Sequence, residues 1–159
     1  LWNPANPGNG PFVKELEAAA QALKVQLHPV GVQDPKELDS AFAALARQRT
    51  GTLMVVADGM FLAQRDRIIA LAARSRLPAM YGSTDLVEAG GLMAYSVNLP
   101  EMFRRGASSV DRILKGAKPA DLPVERPTRF YFVINLRTAK ALGLTIPPSL
   151  LRRADRIIE

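Results

Sequence analysis

The chain has 159 residues, enough to bury one sizeable core, so a single domain is expected. It has no cysteine and one histidine, which excludes disulfides, thiolate metal sites, a His-rich metal site and a Cys–His pair. The net charge of +6 is scattered apart from the doublets Arg104-Arg105 and Arg152-Arg153, without interleaved aromatics, so solvated helix faces explain it better than a nucleic-acid surface.

No run of about 18 apolar residues reads as a membrane span. Leu1-Trp2-Asn3-Pro4 has neither the basic start nor the apolar stretch of a secretory signal. The chain begins without Met, inside what reads as a strand, and a fragment or processed piece of a longer protein is expected.

In chain order, Leu1-Trp2 reads as a strand tail running into an Asn/Pro/Gly loop at 3–10. Pro11 suits the first helical position, where its missing N–H goes unused, and Phe12, Leu16, Ala20 and Leu23 then recur at helical spacing. The segment from Val25 to Val32 reads as a strand, with Pro29 suggesting a sheet edge. Asp34-Pro35-Lys36-Glu37 is a helix start with Asp34 as N-cap and Glu37 reaching back; Leu38, Phe42 and Leu45 form the buried stripe behind it. Leu53–Ala57 is a continuous apolar run of the kind covered on both faces in a parallel sheet.

A helix is expected over about 61–74, with Leu62, Ile69 and Ala72 inward. Leu77–Tyr81 is the next strand, followed by Gly82-Ser83-Thr84, a short helix ending at Gly90-Gly91, and a strand at Leu92–Val97. The helix from about Pro100 to Lys115 is read as burying Phe103, Val110 and Leu114. Pro119, Pro123 and Pro127 then mark a stiff connector. Repeated βα units with short connections predict an α/β fold with an open, mostly parallel sheet flanked by helices. The expected division is a lobe at 1–116, a connector at 117–128, and a closing strand with helices at 129–159.

Ligands of open parallel sheets bind beyond the carboxyl ends of the strands. That rule selects Asn3–Gly10, Asp58–Phe61, Tyr81–Thr84 and Tyr95–Asn98. The first opens a helix, where free N–H groups favour an anion, with Asn3, Asn6 and Asn9 adding neutral donors and acceptors; the same residues also simply make turns and a cap. Asp58 ends the most apolar strand, and a ligand ammonium group or a helix-capping role would each account for it. Phe61 is a wall for an apolar pocket or a core residue. Ser83 and Tyr95 pair a hydroxyl with a strand end, as interior residues also do. His28, beside Pro29, is read as solvated or merely packed. No G-x-S-x-G elbow, P-loop or dinucleotide fingerprint is present, and no cofactor or metal is expected.

Residues 113–147, ILKGAKPADLPVERPTRFYFVINLRTAKALGLTIP, set a helix end at Gly116, a Pro-rich connector, an aromatic strand into Asn135, and a helix stopping at Gly143 before Ile146-Pro147. This order resembles the C-terminal end of the ABC-transporter substrate-binding proteins related to the tryptophan/tyrosine-binding lipoproteins. LPAMYG at 77–82 and VEAGGLMAYSV at 87–97 resemble the family's strand–loop–Gly–strand region. Asp58 falls where many members carry Asp at a ligand-facing strand end, Tyr95 where that region meets the interlobe cleft, and Trp2-Asn3 at the ligand-facing first loop. The first loop, Pro4-Ala5-Asn6-Pro7-Gly8-Asn9, departs from the aromatic-amino-acid binders, and Gly59 rather than Asn follows Asp58. Both departures leave the solute open.

The resemblance implies one Rossmann-like lobe of a type I periplasmic binding protein, with a missing N-terminal lobe upstream. It implies a small-molecule solute, amino acid-like or carboxylate-bearing, an ABC permease partner, no reaction, and a periplasmic or lipid-anchored location. Asn3, Asn6, Asp58, Phe61, Ser83 and Tyr95 are the implied ligand-binding set. Met102, Phe103, Val110 and Leu114 would face the missing lobe, and a homodimer of the fragment or a rearranged C-terminal half is expected in its absence. A ligand-sensing domain of a lactose-repressor-type regulator and a small α/β enzyme using Asp58 and a tyrosine are the alternatives.

Overall fold

A computed structural model of the chain describes every residue except 125, 126 and 128. Among the described residues a sheet forms from β1 (Leu53–Val55), β2 (Ala79–Tyr81), β3 (Met93–Val97), β4 (Phe130–Asn135) and β5 (Arg156–Ile158), in that spatial order. Neighbours β1 and β2, β2 and β3, and β4 and β5 run parallel, whereas β3 and β4 are antiparallel. The helices are α1 (Asn9–Ala22), α2 (Leu38–Arg47), α3 (Gly59–Ala63), α4 (Arg65–Arg74), α5 (Thr84–Glu88), α6 (Leu99–Leu114), α7 (Leu136–Ala141) and α8 (Pro148–Leu151). The expected α/β architecture is therefore present. Among the described residues no helix is long and apolar enough to cross a membrane.

The apolar runs form the sheet because both faces are covered. Leu53, Val55, Ala79 and Tyr81 pack in one core with Phe42, Leu45, Phe61, Ile68 and Leu71. The opening residues lie beside β1: the Leu1 amine donates to Met54 O at 2.6 Å and Val56 N–H to Leu1 O at 3.0 Å. On the other side Trp2 forms a parallel bridge with Gly31. The strand expected at Val25–Val32 is reduced to that bridge, since Pro29 has no N–H for a ladder.

Helix α1 begins at Asn9, with Gly8 as N-cap, so Pro11 is its third residue rather than its first. The whole first turn lacks intrahelical acceptors, and proline is tolerated there as well. The Asp34 box forms as expected: its carboxylate accepts Lys36 N–H at 2.8 Å, and Glu37 accepts Gln33 N–H at 2.8 Å. It starts a tight 3-10 turn at Pro35–Glu37, and α2 follows with Leu38, Phe42 and Leu45 buried.

Three expectations are corrected. The helix at 61–74 is two helices broken at Gln64, which rotates the inward face to Phe61, Ile68, Leu71 and Ala72 and leaves Leu62 and Ile69 partly buried. Helix α6 buries none of its residues: Phe103 is 76% and Leu114 81% exposed. Its apolar stripe has no second layer among the described residues. Strand β5 is absent from the sequence reading because three residues with one charge carry too little pattern.

Within the expected connector, Pro119–Asp121 forms a 3-10 turn, and positions 125, 126 and 128 lie outside the described residues. The chain on both sides of the connector joins one sheet, because β4 pairs with β3 along its length.

Candidate ligand-binding cleft

Strands β1, β2 and β3 each run into a polar residue that caps the next helix. Asp58 caps α3 by accepting Met60 N–H at 2.9 Å. Ser83 caps α5 by accepting Asp85 N–H at 3.3 Å, and its hydroxyl donates to the Asp85 carboxylate at 3.2 Å. Asn98 caps α6 by accepting Glu101 N–H at 3.0 Å. Strand-to-helix turns need such oxygens to satisfy first-turn N–H groups. These side chains line a cleft of about 1050 Å³ at the carboxyl ends of the strands.

Of the residues singled out in the sequence, Asn6, Asp58, Phe61 and Ser83 line this cleft. Asn3 is outside its lining but touches Asp58 at 3.2 Å. Phe61 is 1% exposed, so it backs the cleft from the core. Tyr95 lies elsewhere. Side chains alternate along β3, so Ser96 faces the cleft together with its cross-strand partner Tyr131, and Tyr95 faces the opposite side. There it is 51% exposed, stacked on Phe130 at 5.4 Å and edge-on to Phe132 at 6.3 Å.

The Asp58 carboxylate gathers the first loop. It accepts amide N–H groups from Asn3 at 3.2 Å, Asn6 at 2.8 Å and Asn9 at 3.1 Å, besides Met60 N–H. Asn3 and Asn6 in turn accept Ala5 N–H and Gly8 N–H, each at 3.0 Å, closing two local turns. Burial works to raise the Asp58 pKa, but the bonds from Asn6, Met60, Asn3 and Asn9 outweigh it and hold the carboxyl below its ordinary range.

Other charges around the cleft are bonded within the fold, Asp85 by the Ser83 hydroxyl alone among the described residues. Glu88 meets Arg156 at 2.6 Å, and Asp155 accepts Phe132 N–H at 2.9 Å. Val55, Leu86, Val97 and Val133 supply an apolar floor, and Phe103 of α6 closes one side. Ser96 is 8% exposed, and its hydroxyl has no hydrogen-bond partner among the described residues. No cluster of three or more His, Asp or Glu placed to hold a metal occurs among the described residues. The arrangement suits holding a small molecule with an apolar body.

A family model for ABC transporter substrate binding proteins matches residues 1–158. The chain belongs to that family. Among solved structures, this family member is similar to a conserved domain protein from Vibrio cholerae, with a TM-score of 0.91 at 24% identity, covering 98% of this chain and 52% of that one. It is also similar to an ABC domain in complex with L-Trp from Streptococcus pneumonia, with a TM-score of 0.90 at 25% identity, covering 99% and 54%. A ligand-free, open substrate binding protein with adhesive properties from Clostridium difficile gives a TM-score of 0.71 at 18% identity, covering 99% and 52%. The chain thus spans about half the length of these proteins. No curated protein matches it.

Sequence reasoning counted Asn9 among the first loop's neutral donors and acceptors but passed over Ser96 and Asn98 as cleft residues. Asn98 has a legible signal, an N-cap residue two positions before Pro100. Ser96 has none, because its role depends on which strand ends and loops the fold brings together.

Proposed function

We propose that the whole protein is the solute-binding component of an ABC-type uptake transporter, acting outside the cytoplasm as a periplasmic or surface-anchored protein. It captures a small molecule between this lobe and a second one, and delivers it unchanged to a membrane permease. The observation that carries this reading is the cleft at the carboxyl ends of β1 to β3, in a chain that matches a substrate-binding family over residues 1–158. Hinged closure of two such lobes is the mode of related architectures.

Within that reading Asn6 and Ser83 meet the solute at the rim, Phe61 backs it, and Asn3 and Asp58 stand behind Asn6. Tyr95, on the other face, contributes with Phe130 to a surface away from the solute. The exposed apolar stripe of α6, with Met102, Phe103, Ile113 and Leu114, packs on the second lobe. In the isolated lobe a second copy takes that place.

Calorimetric titration with the twenty common L-amino acids, simple sugars, and purine and pyrimidine bases tests the reading. The whole protein binds one class from this panel and returns it unmodified. The 159-residue lobe alone binds it weakly, since closed sites bury about 70–90% of a ligand and one wall cannot. A whole protein that binds nothing in the panel, or converts what it binds, overturns the reading.

A further inference from the structure

The Asp58 carboxylate has no acceptor capacity left. A carboxylate offers about four lone-pair positions, and four N–H groups already point at this one. Oδ1 accepts from the Asn3 amide at 3.2 Å and Met60 N–H at 2.9 Å. Oδ2 accepts from the Asn6 amide at 2.8 Å and the Asn9 amide at 3.1 Å. A ligand ammonium group would have to displace one of them. The three asparagine donors come from 49 to 55 positions earlier in the chain, so the carboxylate ties the opening loop to the end of β1. Asn9 is also the first residue of α1, whose amino end favours negative charge. The internal carboxylate therefore stands beside the loop where the sequence suggested a ligand anion.

The rim retains a spare N–H donor on this loop. A primary amide has two N–H donors, and Asn6, which lines the cleft, gives one to Asp58. Its oxygen already accepts Gly8 N–H, which leaves one lone pair. Asn9 uses its amide twice, on Asp58 and on Asn3 O at 3.4 Å. A solute carboxylate on the spare Asn6 N–H would share one amide group with Asp58, at a range where like charges disfavour each other.

We infer that Asp58 is a positioning residue, not a counter-ion for the solute: it clamps the 3–9 loop so that Asn6 presents one N–H to an uncharged acceptor, a carbonyl or hydroxyl oxygen. This rests on the solute-binding reading above.

The test uses the whole protein, the panel solute that the wild type binds, and the variants Asn3→Ala, Asn6→Ala, Asp58→Ala and the Asn3/Asp58 double variant. Asn3 touches Asp58 but not the cleft, so it reaches affinity only through the loop it helps hold, and the double variant isolates the share that passes through Asp58. Asn3→Ala and Asp58→Ala each weaken binding by about tenfold, the double variant is no weaker than the poorer single one, and Asn6→Ala is weakest of the singles. Trp2, the only tryptophan of this chain and the neighbour of Asn3, gives a second readout in the lobe itself. Its emission shifts in both Asn3→Ala and Asp58→Ala. In the wild type it shifts on acidification, before helix content is lost and below the ordinary Asp value of about 3.9.

Unchanged affinity in Asn3→Ala, with Asp58→Ala losing only cationic solutes, overturns the clamp in favour of a counter-ion. A Trp2 emission that ignores both the variants and the acid range overturns it as well. If the wild type binds nothing in the panel, the solute-binding reading fails, and the Trp2 response still decides the clamp. Should Asp58→Ala not fold, Asn3→Ala and the acid response carry the same decision.

Discussion

Gly91 leaves the room that the Tyr81 ring fills. A β-carbon at position 91 would lie 2.5 Å from Tyr81 Cε2 and 2.7 Å from the Leu86 carbonyl oxygen. Tyr81 is buried at the end of β2, and burial pushes its hydroxyl up to about 12. Gly91→Ala must therefore move either the ring or the backbone of α5. Overpacking of this kind costs about 1–3 kcal/mol, and urea unfolding of Gly91→Ala is expected to show a loss in that range.

Acid weakens the protein through Asp58. The carboxyl titrates lower in the folded chain than in the unfolded one, because the loop amides outweigh the cost of its burial. Its stabilising contribution is therefore complete above the unfolded value, about 3.9, and is lost as pH falls through the lower folded value. Unfolding free energies of wild type and Asp58→Ala, measured from neutral pH downward, differ most at neutral pH and converge at the acid end. Parallel curves through that range would show that the carboxyl does not titrate differently on folding.

Ser96→Ala is expected to hold or raise the melting temperature. The hydroxyl is buried without a partner among the described residues, and such a group costs about 1–3 kcal/mol relative to a satisfied one. Replacing the hydroxymethyl side chain by a methyl group removes the unmet polar atom with little change in volume. Scanning calorimetry reads the result, and a clear drop in melting temperature would reveal a bonded hydroxyl.

The isolated lobe is expected to self-associate through α6. Phe103 and Leu114 project from a helix that buries none of its residues. Phe103→Lys with Leu114→Lys should shift sedimentation toward the monomer, while exposed sites of this kind change stability by less than about 0.5 kcal/mol. Equal sedimentation of the two proteins would remove α6 from the contact.

Asp34→Ala should cost about 1 kcal/mol, the usual worth of an N-cap. The Asp34 carboxylate holds Lys36 N–H, and Glu37 returns to the backbone of Gln33 and Asp34. Chemical denaturation measures the loss, which is expected without any change in the cleft.

Local chemistry was legible. The Asp34 box could be read because its donors and acceptors lie within four residues of one another. The strands at Leu53 and Ala79 could be read because parallel strands covered on both faces are continuous apolar runs. The α/β alternation followed, and with it the strand ends where polar side chains would gather. Asp58, Ser83 and Asn98 do gather there, each as a helix cap.

Partnerships across the chain were not legible. The period of α6 marks an apolar stripe, but a period does not say whether anything covers it, and within the described residues nothing does. Tyr95 and Ser96 are adjacent in sequence, yet the pleat sends one to an exposed aromatic stack and the other to the cleft. Which face each takes depends on the register of β3 against β4.

The sequence by itself determined the order of strands and helices, the caps between them and the family likeness, because each rests on residues a few positions apart. Tertiary structure alone decided that Asp58 holds Asn3, Asn6 and Asn9, since that bond set closes a loop of about fifty residues and exists only once β1 lies beside the opening segment. Hydrogen-bond capacity is local to an atom, but the groups that fill it are chosen by the fold.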